Sequence, residues 1–316
     1  MRPPTTRGAA PVEPTVSIIV VNWNTRVLLA ECLASIATNA AGIATETIVV
    51  DNASTDGSRE MLAEMLPAPR VVANSENLGF ARAVNQGIAA SRGRYLLVLN
   101  SDAQLLPGTL PSLLELAGRQ PRAAVIGAQL RHADGSFQAS HVRFPTFWRE
   151  LLILSGIGRL LHGPWYPSHP AEEQRGPQRV DWVGGACLLI RRTAFNEIPG
   201  GMDEGYFLYG EEMDLCYVLQ RHGWEIWYQP EAKVVHVGSA SSRRLSARRE
   251  ALLYRGRVRF CRKHYGAWSA RILTGEIYLL TAIKIAAHGS LRLLTAGRRG
   301  REVVSLRRLT AALRDG

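Results

Sequence analysis

The stretch YLLVLNSDA (residues 95–103) decides the fold, because it joins a buried strand to a polar end. Its first five residues form an apolar run that is typical of a strand covered on both faces of a sheet. Asn100, Ser101 and Asp102 follow at once and place a carboxylate at the end of that strand. In a parallel sheet, such an end lies at the edge where ligands bind.

Apolar runs alternate with helical patterns on both sides of this stretch. The predicted strands are VSIIVVN (16–22), TIVVD (47–51), RVVAN (70–74), YLLVL (95–99), 123–130, 181–192, 224–228 and 233–237. The predicted helices span 26–38, 56–66, 79–91 and 211–222. This alternation predicts an α/β fold with a mostly parallel central sheet and helices on both faces. The irregular, aromatic segment 141–180 is interpreted as a binding loop or lid.

The charge of the chain is divided unevenly. Residues 243–316 hold 18 Lys and Arg against 4 Asp and Glu, a net of +14, whereas the first 242 residues hold 20 against 23. Such asymmetry indicates an anionic partner surface, either membrane or nucleic acid. The four cysteines form no CxxC pair, so we expect neither a zinc site nor disulfides, and a cytoplasmic protein. Residues 1–15 are expected to be a loose tail rather than a signal peptide.

The run 272–296 is apolar, but Glu276, Lys284, His288 and Arg292 interrupt it on one face. A spanning helix tolerates such charges poorly near its centre. The pattern fits an amphipathic helix at a membrane surface or a helix packed on the domain. The arginine pairs 243/244, 248/249, 298/299 and 307/308 favour the membrane surface.

Polar residues follow four predicted strands where each one ends, as with Asn22, Asp51 and Asp102. Any one of them is explained by a turn or a helix cap, and for Asp56 that explanation is preferred. Four coincident polar ends favour a ligand site instead. The chain has neither GxGxxG after its first strand nor a GxxxxGK[ST] motif, so a phosphate-bearing ligand needs another charge partner. A divalent cation, Mg²⁺ or Mn²⁺, held by a carboxylate meets that need.

Four pieces of the chain together resemble one family. VSIIVVNWN, VVDNASTDGS, NLGFARAVNQG and VLNSDA, in that order, resemble the inverting, nucleotide-sugar-dependent glycosyltransferases of family 2, which have the GT-A fold. FLYGEEMDLCYVLQRHGW (207–224) and VVHVGSAS around His236 continue the resemblance, which covers 16–242. Bacterial rhamnosyltransferase-like enzymes are the most similar subgroup, and YRGRVRFCRKHYG (254–266) resembles the segment after their catalytic domain.

The resemblance implies roles on the donor side of a site. Asp51 would contact the nucleotide base, the loop around Asn22 would hold the nucleoside, and a further set would lie near the nucleotide and sugar: Asn77, Gly79, Phe80 and Asn85. Asn100, Ser101 and Asp102 stand where the family has an Asp-x-Asp motif, with Asn100 in place of the first acid. Asp102 and His236 would bind the cation. Without the resemblance, His236 is better explained as a buried strand-end histidine.

The resemblance also implies a catalytic base and an acceptor side. Inversion requires a carboxylate that takes the proton of the acceptor hydroxyl. Glu212 matches the position of that base, and Asp214 is its rival. Glu211 is explained by the helix dipole alone. Gly184 and Gly185 would line the acceptor side, as would Trp182, which a core position explains equally well.

These expectations combine into one division of the chain and one function. A GT-A catalytic domain over 16–242 is expected to precede a basic helical region over 243–316. The enzyme is expected to move one sugar to a glycan or polyprenyl-lipid-linked acceptor at the inner face of the membrane, and dTDP-rhamnose is one candidate donor. The alternatives are a sugar nucleotidyltransferase, which usually has a Gly-rich basic loop where this chain has NWNTR, and a nucleic-acid-binding protein. No nucleic acid is expected, because acids at strand ends repel phosphate unless a metal intervenes.

Overall fold

The computed structural model describes residues 13–164, 166–168, 176–238 and 246–294 of the chain. Most of the predicted tail, the arginine pairs 243/244, 298/299 and 307/308, and the side chains of Arg248, His288 and Arg292 lie outside the described residues. The division into a catalytic domain and a basic region therefore stays a prediction.

The described chain forms strands and helices that alternate through its first half. The strands are β1 (Val16–Asn22), β2 (Thr45–Asp51), β3 (Arg70–Ala73), β4 (Tyr95–Asn100), β5 (Ala103–Leu105), β6 (Ala123–Arg131), β7 (Phe137–Gln138), β8 (His141–Val142), β9 (Gln178–Arg179), β10 (Trp182–Val183), β11 (Cys187–Arg191) and β12 (Glu225–His236). The helices are α1 (Arg26–Asn39), α2 (Ser58–Glu64), α3 (Phe80–Ala89), α4 (Thr109–Arg119), α5 (Phe147–Ser155), α6 (Ile157–His162), α7 (Arg192–Phe195), α8 (Glu211–Arg221), α9 (Ser246–Tyr265) and α10 (Ala267–Leu294).

One large sheet organises the molecule, with the strand order β3-β2-β1-β4-β11-β6-β12-β5. The first four strands in this order are parallel, as are β6 and β12. The strand β4 lies between β1 and β11, and five of its six residues are buried, which confirms the buried central strand predicted from YLLVL. The carboxyl ends of β1, β2 and β4 consequently share one edge.

Side chains on the two faces of the sheet belong to two separate apolar clusters. Along β1, Val16, Ile18 and Val20 join one cluster, and Ile19 joins the other. A third cluster, around Phe260, joins α9 and α10 to Met213 of α8 and to Leu154 of α5. The helices after β12 are therefore packed against the helix that carries the predicted base.

The structure differs from the predicted elements in three places. The predicted strand over 181–192 is two strands, β10 and β11, and β11 runs antiparallel between β4 and β6. The two predicted strands over 224–228 and 233–237 are one strand, β12, whose register shifts between Gln229 and Lys233. The predicted irregular lid contains the helices α5 and α6. Within the described part of the chain, no helix is long and apolar enough to cross a membrane.

Candidate active site

A cleft of about 610 Å³ opens where the ends of β1, β2 and β4 meet the start of α8. Ten of the fifteen predicted site residues line it: Asn77, Gly79, Phe80, Asn100, Ser101, Asp102, Gly184, Gly185, Glu212 and His236. The structure thus brings most of the predicted residues to one place. It leaves Asn22, Asp51, Asn85, Trp182 and Asp214 outside the cleft lining.

The predicted metal ligands are adjacent. His236 Nε2 lies 3.3 Å from Asp102 Oδ1 and 3.4 Å from Asn100 Nδ2. On its other side, His236 Nδ1 lies 3.0 Å from Gln138 Oε1. A hydrogen bond from Nδ1 to that amide oxygen would leave the Nε2 lone pair facing the carboxylate.

Two electron-pair donors so close together suit a shared cation. A carboxylate oxygen and an imidazole nitrogen are ordinary ligands for Mn²⁺, and second-sphere hydrogen bonds such as that of Gln138 orient the ring. No group of three or more His, Cys, Asp or Glu side chains with metal-binding geometry occurs among the described residues. The residues at this site therefore fit a cation that takes its remaining ligands from substrate and water.

The first turn of α8 supplies two buried carboxylates. Glu212 Oε2 accepts a hydrogen bond from Gly210 N at 3.1 Å, whereas Glu211 Oε2 has no hydrogen-bond partner among the described residues. Burial raises the pKa of Glu212; burial, and then the charge of Glu212, raise the pKa of Glu211 well above its usual range. Both line the cleft, so Glu211 is placed for more than a dipole interaction. Because the two carboxylates interact, they titrate as a pair.

Asp214 points away from the cleft and into α9. Its oxygens accept hydrogen bonds from Lys263 Nζ at 2.8 Å, His264 Nε2 at 2.7 Å and Tyr206 Oη at 3.2 Å. With both oxygens occupied, Asp214 is tied to the helix behind it. The geometry favours Glu212 over Asp214 as the base.

Asp51 and Asn22 form a closed network behind the cleft wall. Asp51 is fully buried; its Oδ1 accepts from Asn22 Nδ2 at 2.9 Å, and its Oδ2 accepts from Arg59 Nε at 2.6 Å and Ser54 N at 3.0 Å. Burial alone would raise the pKa of Asp51, but the hydrogen bonds from Ser54, Arg59 and Asn22 outweigh it and lower that pKa. As placed, the carboxylate is fully used, so direct contact with a base would require Arg59 to move.

The loop before α3 lines the cleft through Asn77, Gly79 and Phe80. Asn77 Oδ1 accepts from Gly79 N at 3.0 Å, and Phe80 N donates to Phe207 O at 2.7 Å. Gly79 has φ +87°, and a Cβ there would lie 2.6 Å from Phe207 O, so only glycine fits. Asn85 is elsewhere: its amide bonds the backbone of Met202 in the loop after α7. A contact between Asn85 and a nucleotide has no support from this geometry.

The predicted acceptor residues separate into two groups. Gly184 and Gly185 line the cleft, and a Cβ on Gly185 would lie 3.9 Å from Glu212 Cδ. Trp182 is partly buried against the apolar core instead, and its Nε1 donates to Arg143 O at 3.2 Å. Stacking of Trp182 on a sugar stays a prediction that the cleft lining does not favour.

The helix α9 adds residues that the sequence reasoning assigned elsewhere. Arg249, interpreted above as part of a membrane-binding pair, lines the cleft, and its Nε donates to Tyr209 Oη at 3.2 Å. One helical turn further, Leu252 also lines the cleft. No local motif marks either residue, because only the packing of α9 on the 209–212 turn brings them there.

Gly256 allows that packing. A Cβ on Gly256 would lie 2.2 Å from Tyr209 O, so the backbone of α9 touches the turn that precedes the two glutamates. Tyr209 itself adopts φ +70°, a strained conformation for a side-chain-bearing residue. The position of Glu211 and Glu212 therefore depends on a helix that begins more than 30 residues later.

The sequence matches one protein-family model and a bacterial relative. The family model described as "Glycosyl transferase family 2" matches residues 17–198. N-acetylglucosaminyl-diphospho-decaprenol L-rhamnosyltransferase of Mycobacterium tuberculosis (strain ATCC 25618 / H37Rv) is 34% identical over 260 residues, which cover 75% of this chain and 82% of that protein.

Solved structures share the fold at low identity. A mannosyltransferase from Pyrobaculum calidifontis, in complex with GDP-Man and Mn²⁺, superposes with a TM-score of 0.57 at 17% identity, covering 95% of this chain and 86% of its own. GalNAc-T7 with UDP, GalNAc and Mn²⁺ gives a TM-score of 0.54 at 16% identity, covering 72% of this chain and 44% of its own. These likenesses confirm the predicted GT-A fold.

Proposed function

Because the chain belongs to glycosyl transferase family 2, and is thus a glycosyltransferase, we propose that it transfers one rhamnose from a nucleotide-diphosphate donor to a lipid-linked glycan acceptor. The relative from M. tuberculosis is named for L-rhamnose transfer to N-acetylglucosaminyl-diphospho-decaprenol, which supports both halves of the proposal. The first candidate for the sugar donor is dTDP-rhamnose. Family membership does not favour a nucleotidyltransferase or a nucleic-acid-binding protein.

The observation that carries the proposal is the composition of the cleft. A carboxylate–imidazole pair, Asp102 and His236, and a carboxylate pair, Glu211 and Glu212, line one cavity. The first pair suits a cation beside a diphosphate, and the second suits proton removal from a hydroxyl. Inverting sugar transfer requires both functions at one reacting carbon.

Glu212 would act as the base. The acceptor hydroxyl attacks the anomeric carbon, the bond from that carbon to the diphosphate oxygen breaks, and the hydroxyl proton passes to a carboxylate oxygen of Glu212. A raised pKa makes the ionised carboxylate a stronger base. Glu211 lines the cleft beside it, and burial, together with the charge of Glu212, raises its pKa as well.

Asp102 and His236 would hold a divalent cation, and Asn100 would support it through its amide. When bound, the cation supplies charge neutralisation for the departing diphosphate. The cations of the two solved structures are Mn²⁺. Arg249 forms no ion pair with a described carboxylate, so its guanidinium is available for a phosphate group in the same cleft.

A transfer assay tests the proposal. Purified full-length protein is given dTDP-rhamnose or other nucleotide sugars with N-acetylglucosaminyl-diphospho-prenol, with and without Mn²⁺ or Mg²⁺ after EDTA treatment. We expect rhamnosylated lipid only with metal, and the His236→Ala variant to need a higher metal concentration. Transfer of another sugar would overturn the donor assignment, and full activity in EDTA would overturn the metal assignment. Thermal unfolding of each variant, with and without metal and dTDP, distinguishes a variant that no longer binds metal from one that no longer folds.

A further inference from the structure

An unusual surface covers α5, α6 and the outer side of α10. These helices are neighbours: Lys284 Nζ on α10 donates to Leu154 O on α5 at 2.7 Å, and α6 follows α5 after one residue. Soluble proteins seldom expose large apolar side chains in groups, and groups that are exposed mark interaction surfaces.

The outward side of α10 is apolar rather than polar. Trp268, Ile272, Leu279 and Ile283 recur at helical spacing and are all exposed, Trp268 by 74% and Leu279 by 62%. The opposite side, with Ala270, Leu273 and Ile277, packs against α9 and α5 in the third apolar cluster. The helix thus has apolar residues on both sides, although a solvent-facing side is normally polar.

The helices α5 and α6 also expose large apolar side chains. Phe147 and Trp148 begin α5, and Leu160 and Leu161 end α6; Leu160 is 84% exposed and Trp148 71%. The two exposed tryptophans, one on α5 and one on α10, are of the type that prefers the boundary between lipid tails and water. The segment interpreted from sequence as a lid therefore presents an apolar surface.

The charges on these helices all have one sign where they are accessible. Arg159 and Arg271 are exposed, and the Arg271 guanidinium lies 5.3 Å from the Trp268 ring. The described acids of the three helices are Glu150 and Glu276, and both are buried. Exposed apolar and cationic side chains without exposed acids complement an anionic lipid surface. A protein partner would have no evident need for this exclusion of acids.

We propose that α5, α6 and the outer side of α10 form a docking surface for an anionic lipid bilayer, on which the helices lie without crossing it. The docking surface rests on the proposed function in one respect: an enzyme bound there would reach its lipid-linked acceptor from the membrane. It differs from attachment by the basic C-terminal residues alone, because it needs the apolar side chains of α5–α6.

Vesicle sedimentation of the full-length protein tests the proposal without any need for turnover. Vesicles of phosphatidylcholine alone and of phosphatidylcholine mixed with phosphatidylglycerol are compared. The variants are Leu160→Glu on α6, Leu279→Glu on α10 and, as a matched control, Leu66→Glu, a leucine that is 94% exposed after α2. Circular dichroism melts show that each variant is folded.

We expect wild-type binding to the mixed vesicles, at least about tenfold weaker binding for Leu160→Glu and for Leu279→Glu, and no change for Leu66→Glu. Arg271→Gln should weaken binding about fivefold, on the anionic vesicles only. Undiminished binding of both leucine variants would overturn the proposal and would assign membrane attachment to the basic C-terminal residues alone. A dimer in light scattering that Leu160→Glu dissociates, with no vesicle binding by wild type, would instead assign the surface to contact between copies of the chain.

Discussion

The two walls of the cleft treat buried carboxylates in opposite ways. In the strand-end wall, behind the residues that line the cleft, Asp51 is fully buried, both of its oxygens accept hydrogen bonds, and its pKa is lowered. On the helix wall, Glu211 is also buried, but its Oε2 has no partner in the described chain and its pKa is raised. Both carboxylate oxygens of Asp51 are hydrogen-bonded, whereas Glu211 keeps one oxygen without a partner among the described residues.

This difference in hydrogen bonding indicates which buried carboxylates are available for chemistry. A buried polar atom without a partner costs free energy, so such atoms are rare unless they serve a purpose. Among the polar strand ends, Asn22 and Asp51 are hydrogen-bonded to each other and lie outside the cleft lining. At the start of α8, whose acids a helix dipole explains on sequence alone, Glu211 lines the cleft and has one oxygen without a partner among the described residues.

The largest expected effect is on the helix wall. Glu212→Gln should lower kcat by about 10²- to 10⁴-fold, because the amide cannot accept the hydroxyl proton, while dTDP binding in the presence of Mn²⁺ is kept. Asp214→Asn is the matched variant, two residues away on the same helix. It should lower Tm, since Lys263 and His264 lose a charged partner, and change kcat far less. A larger loss of kcat in Asp214→Asn would reverse the assignment of the base.

The second effect concerns the packing that holds the helix wall. Gly256→Ala should destabilise the protein by about 1–3 kcal/mol, because a methyl group would overlap Tyr209 O, and should lower kcat by moving the turn before Glu211. Gly275→Ala on α10 is the control, with no atom within 4 Å of the added Cβ. It should leave stability unchanged or raise it slightly. Equal behaviour of the two variants in thermal unfolding and in the transfer assay would refute the role of Gly256.

The strand-end wall should respond through stability. Asp51→Asn should cost about 2 kcal/mol at pH 7, since the charged partner of Arg59 is lost. Because the folded pKa of Asp51 is lowered, its stabilisation is complete above the unfolded pKa and is lost as pH falls through the folded value. Urea unfolding should therefore show a gap between wild type and variant that is widest near neutrality and shrinks in acid. A collapse of kcat in a variant of normal stability would instead place Asp51 in contact with substrate.

Glu276 offers a test outside the cleft, where we expect no effect on kcat and an effect on stability that is complete only above about neutral pH. It is buried with both oxygens unpartnered in the described chain, and burial, with a smaller part from Glu150, raises its pKa to about 7. Such a group destabilises the fold increasingly as pH rises from the unfolded pKa to about 7, and fully above it. Glu276→Gln should raise stability by roughly 1–3 kcal/mol at pH 8 and by almost nothing near pH 4.5.

The exposed Glu250→Gln on α9 is the control for that measurement, with Tm followed at both pH values. If Glu276→Gln destabilises the protein at pH 8, the carboxylate has a structural partner after all. Retained turnover in Glu276→Gln would show that an unsatisfied buried carboxylate is catalytic only where it lines the cleft.

The first half of the fold was predictable because its strands are uninterrupted apolar runs and each ends in polar residues. The direction of β11 was not, since an apolar run has no orientation and only pairing with β4 and β6 makes it antiparallel. The helices α5 and α6 were missed because their aromatic and proline-rich surroundings suggested irregular structure. At the site, sequence could not separate Glu212 from Asp214, because α9 decides which of them faces the cleft.

The strand β12 gives this enzyme a fixed order of assembly. It pairs with β6 and β5, and its last residue brings His236 to Asn100, 136 positions earlier in the chain. Domains begin to fold from the N-terminus while the ribosome is still elongating the chain. The strands β1, β2 and β4 are thus synthesised first, whereas His236, and then the α9 residues that pack against the turn at Tyr209, are added only later. A chain that ends before β12 would therefore keep Asp102 but lack the histidine that lies 3.3 Å from it.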